Sequence, residues 1–196
     1  MTSLSMKSPA SPAQTGVWVG IAAIAMSFAA YSSALVVRQG ASPDWVHFTL
    51  PPILFFNTLV VVASSATLFM ARARTGTTAA RPGSGAAVID APHLTWLYVT
   101  ILLGFLFLAG QIMAWRNLAG QGLTLASSPS SSFFYLLTAM HGLHLLGGLT
   151  GILYVVYRVR RSNAVRAVRA YNAASLYWHF MTVLWLYLFA MLATRI

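Results

Sequence analysis

Residues Phe133–Tyr157 read FFYLLTAMHGLHLLGGLTGILYVVY, 25 positions with no charge and only a few polar side chains. A lipid hydrocarbon core about 30 Å thick is crossed by roughly 20 consecutive apolar residues in a helix. The stretch is therefore long enough to span. Four more such runs are Val17–Val37, Leu50–Met70, Leu94–Ala114 and Ser175–Ala193. Between them the five leave a polar tail over residues 1–16 and short connections. The expected fold is all-α, an integral membrane bundle of five transmembrane helices occupying residues 17–196.

Composition agrees. Of 196 residues, 58% are hydrophobic and 7% charged, against about 25% charged in soluble domains. With no cysteine, disulfides, thiolate metal sites and cysteine nucleophiles are excluded. The net charge of +10 does not indicate nucleic acid, because the basic residues lie in tails, connections and helix ends and form no water-facing stripe. A signal-peptide core is only about 7 to 15 residues long, so Val17–Val37 is read as a retained spanning helix.

Orientation follows from the connections. Lys7, Arg72, Arg74, Arg81, Arg158, Arg160, Arg161, Arg166 and Arg169 fall on one side, and Arg38, Arg116 and Arg195 on the other. Basic residues near helix ends stay cytoplasmic, so the amino terminus is expected inside and the carboxyl terminus outside. The connection Ala71–His93, with its Arg81-Pro82-Gly83-Ser84-Gly85 centre, reads as a mobile loop. Residues Arg158–Tyr171 lack Pro and Gly and space Val165, Val168 and Tyr171 at helical intervals, predicting a short basic interfacial helix.

Polar residues at membrane depth mark packing interfaces or functional sites. In the fourth run, His141, His144, Gly148 and Gly151 form one stripe at 3.6 residues per turn, and Gly147 with Gly151 makes a small-xxx-small pair suited to close helix approach. Asn57 in the second run is expected to need an interhelical hydrogen bond. In the fifth run, Trp178 and His179 are read as anchors at the inner boundary and Trp185 as a helix contact. Pro51 and Pro52 are placed in the first turn of the second helix.

Imidazole also ligates haem and metals. Counting from the ends of the apolar runs, however, places His144 and His179 roughly 13 Å apart in depth at 1.5 Å per residue, too far for two ligands of one iron. The chain has no Glu, and its two acids, Asp44 and Asp90, lie in connections. A carboxylate-bridged metal site is excluded, and no catalytic, cofactor-binding or metal residue is assigned.

The run from Phe133 to His144, followed by Leu145–Gly148, resembles the penultimate helix of cytochrome c oxidase subunit III. Tyr177, Trp178, His179 and Phe180 with Val183, Leu184, Trp185 and Leu186 resemble its last helix, in the same order and separation. Leu50, Pro51, Pro52, Asn57, Thr58, Leu59, Ser64 and Ser65, and Ser27–Tyr31 before them, are similar to the family's middle helices. The common long form has seven helices, so five make this a short form. The family pattern also carries an acid where this chain has Thr182 and a glutamate in the helix matching Val17–Val37.

The resemblance implies a non-catalytic subunit of a haem-copper terminal oxidase in a bacterial-type plasma membrane. Such a subunit packs beside subunit I, with subunit II in the same complex, and it stabilises that complex and holds phospholipid. The haems and copper are then expected in the partner subunits. Nucleic acid is not an expected partner. The same short form resembles accessory subunits of nitric oxide reductases, and an independent haem-binding membrane protein is a third reading.

Overall fold

The computed structural model describes residues 12–41, 43–78, 91–161 and 164–196; side chains at 12–14, 72–78, 91–93 and 164–166 lie outside the description. Five helices follow one another: α1 Pro12–Ala41, α2 Ile53–Thr78, α3 Ala91–Gly120, α4 Pro129–Arg160 and α5 Ala164–Arg195. Each is long and apolar enough to cross a membrane. No strand occurs among the described residues.

The helices outrun the apolar stretches because polar residues at both ends continue the same hydrogen-bond ladder. Most of the expected loop Ala71–His93 lies outside the described residues, though α2 continues to Thr78 and α3 starts at Ala91. The separate interfacial helix expected over Arg158–Tyr171 does not exist. Arg160 ends α4, and α5 begins at Ala164, so Val168 and Tyr171 belong to the first turns of a spanning helix. Pro51 and Pro52 precede α2, their carbonyls accepting from the amides of Leu54 and Phe55 at 3.0 and 3.1 Å.

Helix ends are set locally. After α3, Gly122 takes φ +80, a left-handed conformation that glycine adopts without Cβ strain. This lets the Leu123 amide reach back to the Leu118 carbonyl at 3.0 Å. Ser128 caps α4 in a reciprocal box with Ser131, and Pro129 occupies the first turn, where its missing N–H is no loss.

Two antiparallel hairpins, α2–α3 and α4–α5, pack side by side through α2–α5 and α3–α4 contacts, while α1 touches only α4 and α5 among the described helices. Sequential α1 and α2 are therefore separated, and residues 43–52 cross the end of the bundle between them. That connector is held by the last residues. The Phe48 amide donates to the Ile196 carbonyl at 3.1 Å, and the Trp45 indole donates to the Arg195 carbonyl at 3.1 Å. The Ser130 hydroxyl donates to the Val46 carbonyl at 2.6 Å. This is the connector end; the opposite end carries Arg158, Arg160, Arg161 and Arg169.

The core contains Phe28, Leu54, Phe107, Phe134, Leu145, Trp178 and Trp185, drawn from all five helices. Outside it, Trp18, Val19, Leu59, Leu102, Leu143 and Val183 are each more than half exposed. An apolar exterior wrapped on continuous helices satisfies the backbone internally, as lipid requires.

Candidate functional site

The seam between α4 and α5 is built around missing side chains. A Cβ on Gly148 would lie 3.1 Å from the Trp178 ring and 3.2 Å from the Tyr177 ring, and one on Gly104 of α3 would lie 2.8 Å from Leu149 and 2.9 Å from Trp178. The Trp178 indole thus sits between two glycines on two helices, and its Nε1 donates to Ser64 Oγ of α2 at 3.1 Å. It is wholly buried, so the boundary anchor expected at this position is instead a keystone linking four helices. The helix continues for fourteen residues before Trp178, which carries it away from the boundary. Gly151 meets Ala174 at an ordinary 3.8 Å, while Gly147 is exposed and meets only the Tyr177 hydroxyl.

One stripe of α5 faces α2. Tyr171, Trp178 and Trp185 recur every seven residues, two helical turns apart. The Tyr171 hydroxyl donates to the Leu68 carbonyl at 2.6 Å and Trp185 Nε1 to Thr58 Oγ1 at 3.0 Å. Ser65 Oγ and His179 Nδ1 share a hydrogen bond of 2.5 Å beside this stripe. Thr182, at the family's acid position, donates to the Trp178 carbonyl of its own helix at 3.1 Å.

The histidines do not act as one stripe. His141 is wholly buried, its ring centroid 5.8 Å from Phe107 and 5.1 Å from Trp185. Those two rings meet edge to face at 4.8 Å, a favourable quadrupole arrangement. His144 turns the other way: Nδ1 donates to the Met140 carbonyl at 2.6 Å, and its ring meets Phe28 of α1 at 5.8 Å. The Tyr177 hydroxyl donates to the His144 carbonyl at 3.0 Å.

The depth argument separating His144 from His179 is overturned. His144 lies sixteen residues before Arg160 and His179 fifteen after Ala164, so the two differ by one residue, about 1.5 Å of rise. The earlier figure took the start of the apolar run, Ser175, for the start of the helix. Direction separates them instead: the His144 ring packs on α1, and the His179 ring bonds to α2. Among the described residues no three His, Cys, Asp or Glu side chains gather as a metal site. The one described acid, Asp44, pairs with Arg38 at 3.1 Å at the connector end.

Asn57 departs from expectation. It is wholly buried, yet neither side-chain atom has a hydrogen-bond partner among the described residues, and the same holds for Gln111 and both His141 nitrogens. Its amide oxygen lies where a Cβ of Gly110 would be, with Cγ 2.9 Å and Nδ2 3.0 Å from that position. The group is packed against α3 at Gly110 rather than bonded across to a side chain. Gly104 and Gly110 were missed by sequence reasoning; their signal was two glycines, six positions apart, in the otherwise mostly large-residue run Leu102–Met113.

Fold and seam together define a multi-pass membrane protein whose five-helix bundle is locked by glycine–tryptophan contacts. The family model for cytochrome c oxidase subunit III matches residues 21–194. The chain is 34% identical over 173 residues to the probable cytochrome c oxidase subunit 3 of Mycobacterium tuberculosis strain H37Rv, covering 84% of this chain and 77% of that protein. It is 33% identical over 165 residues to cytochrome c oxidase subunit 3 of Corynebacterium diphtheriae, covering 83% and 76%. With the Synechocystis subunit 3 it shares 30% over 183 residues, covering 89% and 72%. The chain belongs to the cytochrome c oxidase subunit III family and is a subunit III of a haem-copper oxidase.

Proposed function

We propose that this chain packs beside subunit I of its oxidase, with subunit II in the same complex, and that it stabilises the complex and holds phospholipid. The haems and copper reside in those partner subunits. The membrane is a bacterial-type plasma membrane, with the arginine-rich end of the bundle cytoplasmic and the carboxyl terminus outside.

The observation carrying this reading is the Trp178 keystone. Residues 174–185 of α5 and 141–151 of α4, which form the seam, fall inside the family match. Within them the inward side chains of His141, Trp178 and Trp185 are committed to helix packing, their rings and indole N–H groups turned toward neighbouring helices. No acid lies within any span, so proton carriage through this chain lacks its usual intramembrane groups. A structural role in the assembly follows.

The test compares oxidase purified with and without the chain, following oxygen consumption over time and normalising to haem. Initial turnover should be retained, while active lifetime or assembly yield falls. Immediate loss of all activity in an intact core of subunits I and II would overturn the reading.

A further inference from the structure

Three polar side chains inside the bundle are wholly buried or nearly so: Asn57 of α2, Gln111 of α3 and His141 of α4. Among the described residues none of their six side-chain nitrogens and oxygens has a hydrogen-bond partner. The remaining such atom among the described residues, Ser32 Oγ, is on α1, which touches α4 and α5 but not the α2–α3 hairpin.

Contacts between the helices put the three in one layer. Asn57 lies against Gly110, the residue before Gln111. On α3, Gln111 stands one turn from Phe107 and one turn from Trp115, and both of those reach α4. Phe107 meets the His141 ring at 5.8 Å, and Trp115 Nε1 donates to Thr138 Oγ1 at 3.0 Å. Gln111, between them, therefore faces the same stretch of α4, residues 138–141. Trp185 closes the circuit from α5, its ring 5.1 Å from His141 and its Nε1 donating to Thr58, the neighbour of Asn57.

These groups call for a small polar ligand. Each amide carries donors and acceptors, and a neutral imidazole has one of each. Left bare in a membrane interior, such groups cost free energy. One histidine and two amides without an acid are a weak donor set for a metal ion, and an apolar gas would leave all six atoms unsatisfied. Water is donor and acceptor at once and makes about three hydrogen bonds when buried, which matches three groups around one layer.

We propose that Asn57, Gln111 and His141 form an internal water site, in which ordered water bridges the α2–α3 hairpin to α4. Two of the three groups belong to one hairpin and the third to the other, so the bridge pins the hairpins in register. The Phe107 and Trp185 rings, which meet edge to face at 4.8 Å, shut the layer beside His141. At Trp178 the packing is different. It is as fully buried as Trp185, but its ring lies between Gly104 and Gly148 and its N–H is used on Ser64, so nothing there asks for water. The site lies wholly within this chain, and the assembly role proposed above can fail without it.

The experiment uses the purified oxidase complex containing the full chain. A density map at a resolution that shows ordered solvent should hold a peak within about 3.2 Å of polar atoms from at least two of the three side chains. X-ray radiolysis in isotopically labelled water reads the same site in solution, because radicals formed from a bound water oxidise the side chains beside it. His141 should be oxidised, and Trp185 several-fold more than Trp178. Gln111→Met, which keeps the length and removes donor and acceptor, should lose most of that excess.

Direct hydrogen bonds among the three side chains with no solvent peak between them would overturn the site. So would equal oxidation of Trp185 and Trp178 in the wild-type complex. Undiminished oxidation of Trp185 in an assembled Gln111→Met complex would place the water elsewhere and overturn its assignment to this layer. Should that variant fail to assemble, the two wild-type measurements decide.

Discussion

Trp178 occupies the space that a side chain on Gly148 would need, with ring atoms 3.1 and 3.3 Å from the position of a Cβ there. Gly104 faces the same indole from α3, at 2.9 Å. Because Trp178 is hydrogen-bonded to Ser64, it has little room to retreat. Gly148→Leu should therefore prevent close approach of α4 and α5 and lower assembly yield, while Gly148→Ala should destabilise by about 1 to 3 kcal/mol, the usual range for overpacking. Gly151→Ala, with only an ordinary contact to Ala174, should be nearly neutral. Thermal unfolding of the three purified variants checks the order.

Gly110 and Asn57 form a second interlock. Gly110→Ala places a methyl group onto the Asn57 amide and should weaken the α2–α3 hairpin. Asn57→Ala removes the obstacle, so the double variant should recover much of the loss. Non-additivity of this sign, read from thermal midpoints, is the signature of direct contact. Additive losses would show that the two residues do not share this space.

The hydrogen bond from Trp178 to Ser64 should contribute modestly. Interhelical hydrogen bonds inside membranes average about 0.6 kcal/mol in double-mutant cycles. Comparing Ser64→Ala, Trp178→Phe and their combination should give a coupling of about that size. The larger part of the Trp178→Phe loss should come from the cavity left between Gly104 and Gly148.

Orientation is testable without purification. Reporter fusions after Arg161 and after Ile196 should report opposite sides of the membrane, the first cytoplasmic. Nine of the twelve basic residues favour that arrangement, and their bias over short loops is what sets topology. A cytoplasmic carboxyl terminus would reverse it.

The number of spans, their order and the family were legible in the sequence, because long apolar runs report the solvent directly and the histidine, glycine and tryptophan spacings of α4 and α5 are specific. Where the helices stop was less legible. Hydropathy marks the lipid-facing portion, while the backbone ladder continues through Arg158, Arg160, Val168 and Tyr171, and that difference misplaced His179 by about 11 residues in depth. Which way a side chain faces was decided only by tertiary structure. His141 and His144 are one turn apart and read as one stripe, yet one is enclosed by Phe107 and Trp185 and the other by α1. Trp178 reads as a boundary anchor until Gly104, 74 positions earlier in the chain, is brought against its ring. Composition specifies that a helix is to be buried in lipid; which small residue on which neighbouring helix receives a given ring depends on the crossing of helices distant in sequence, and no local pattern encodes it.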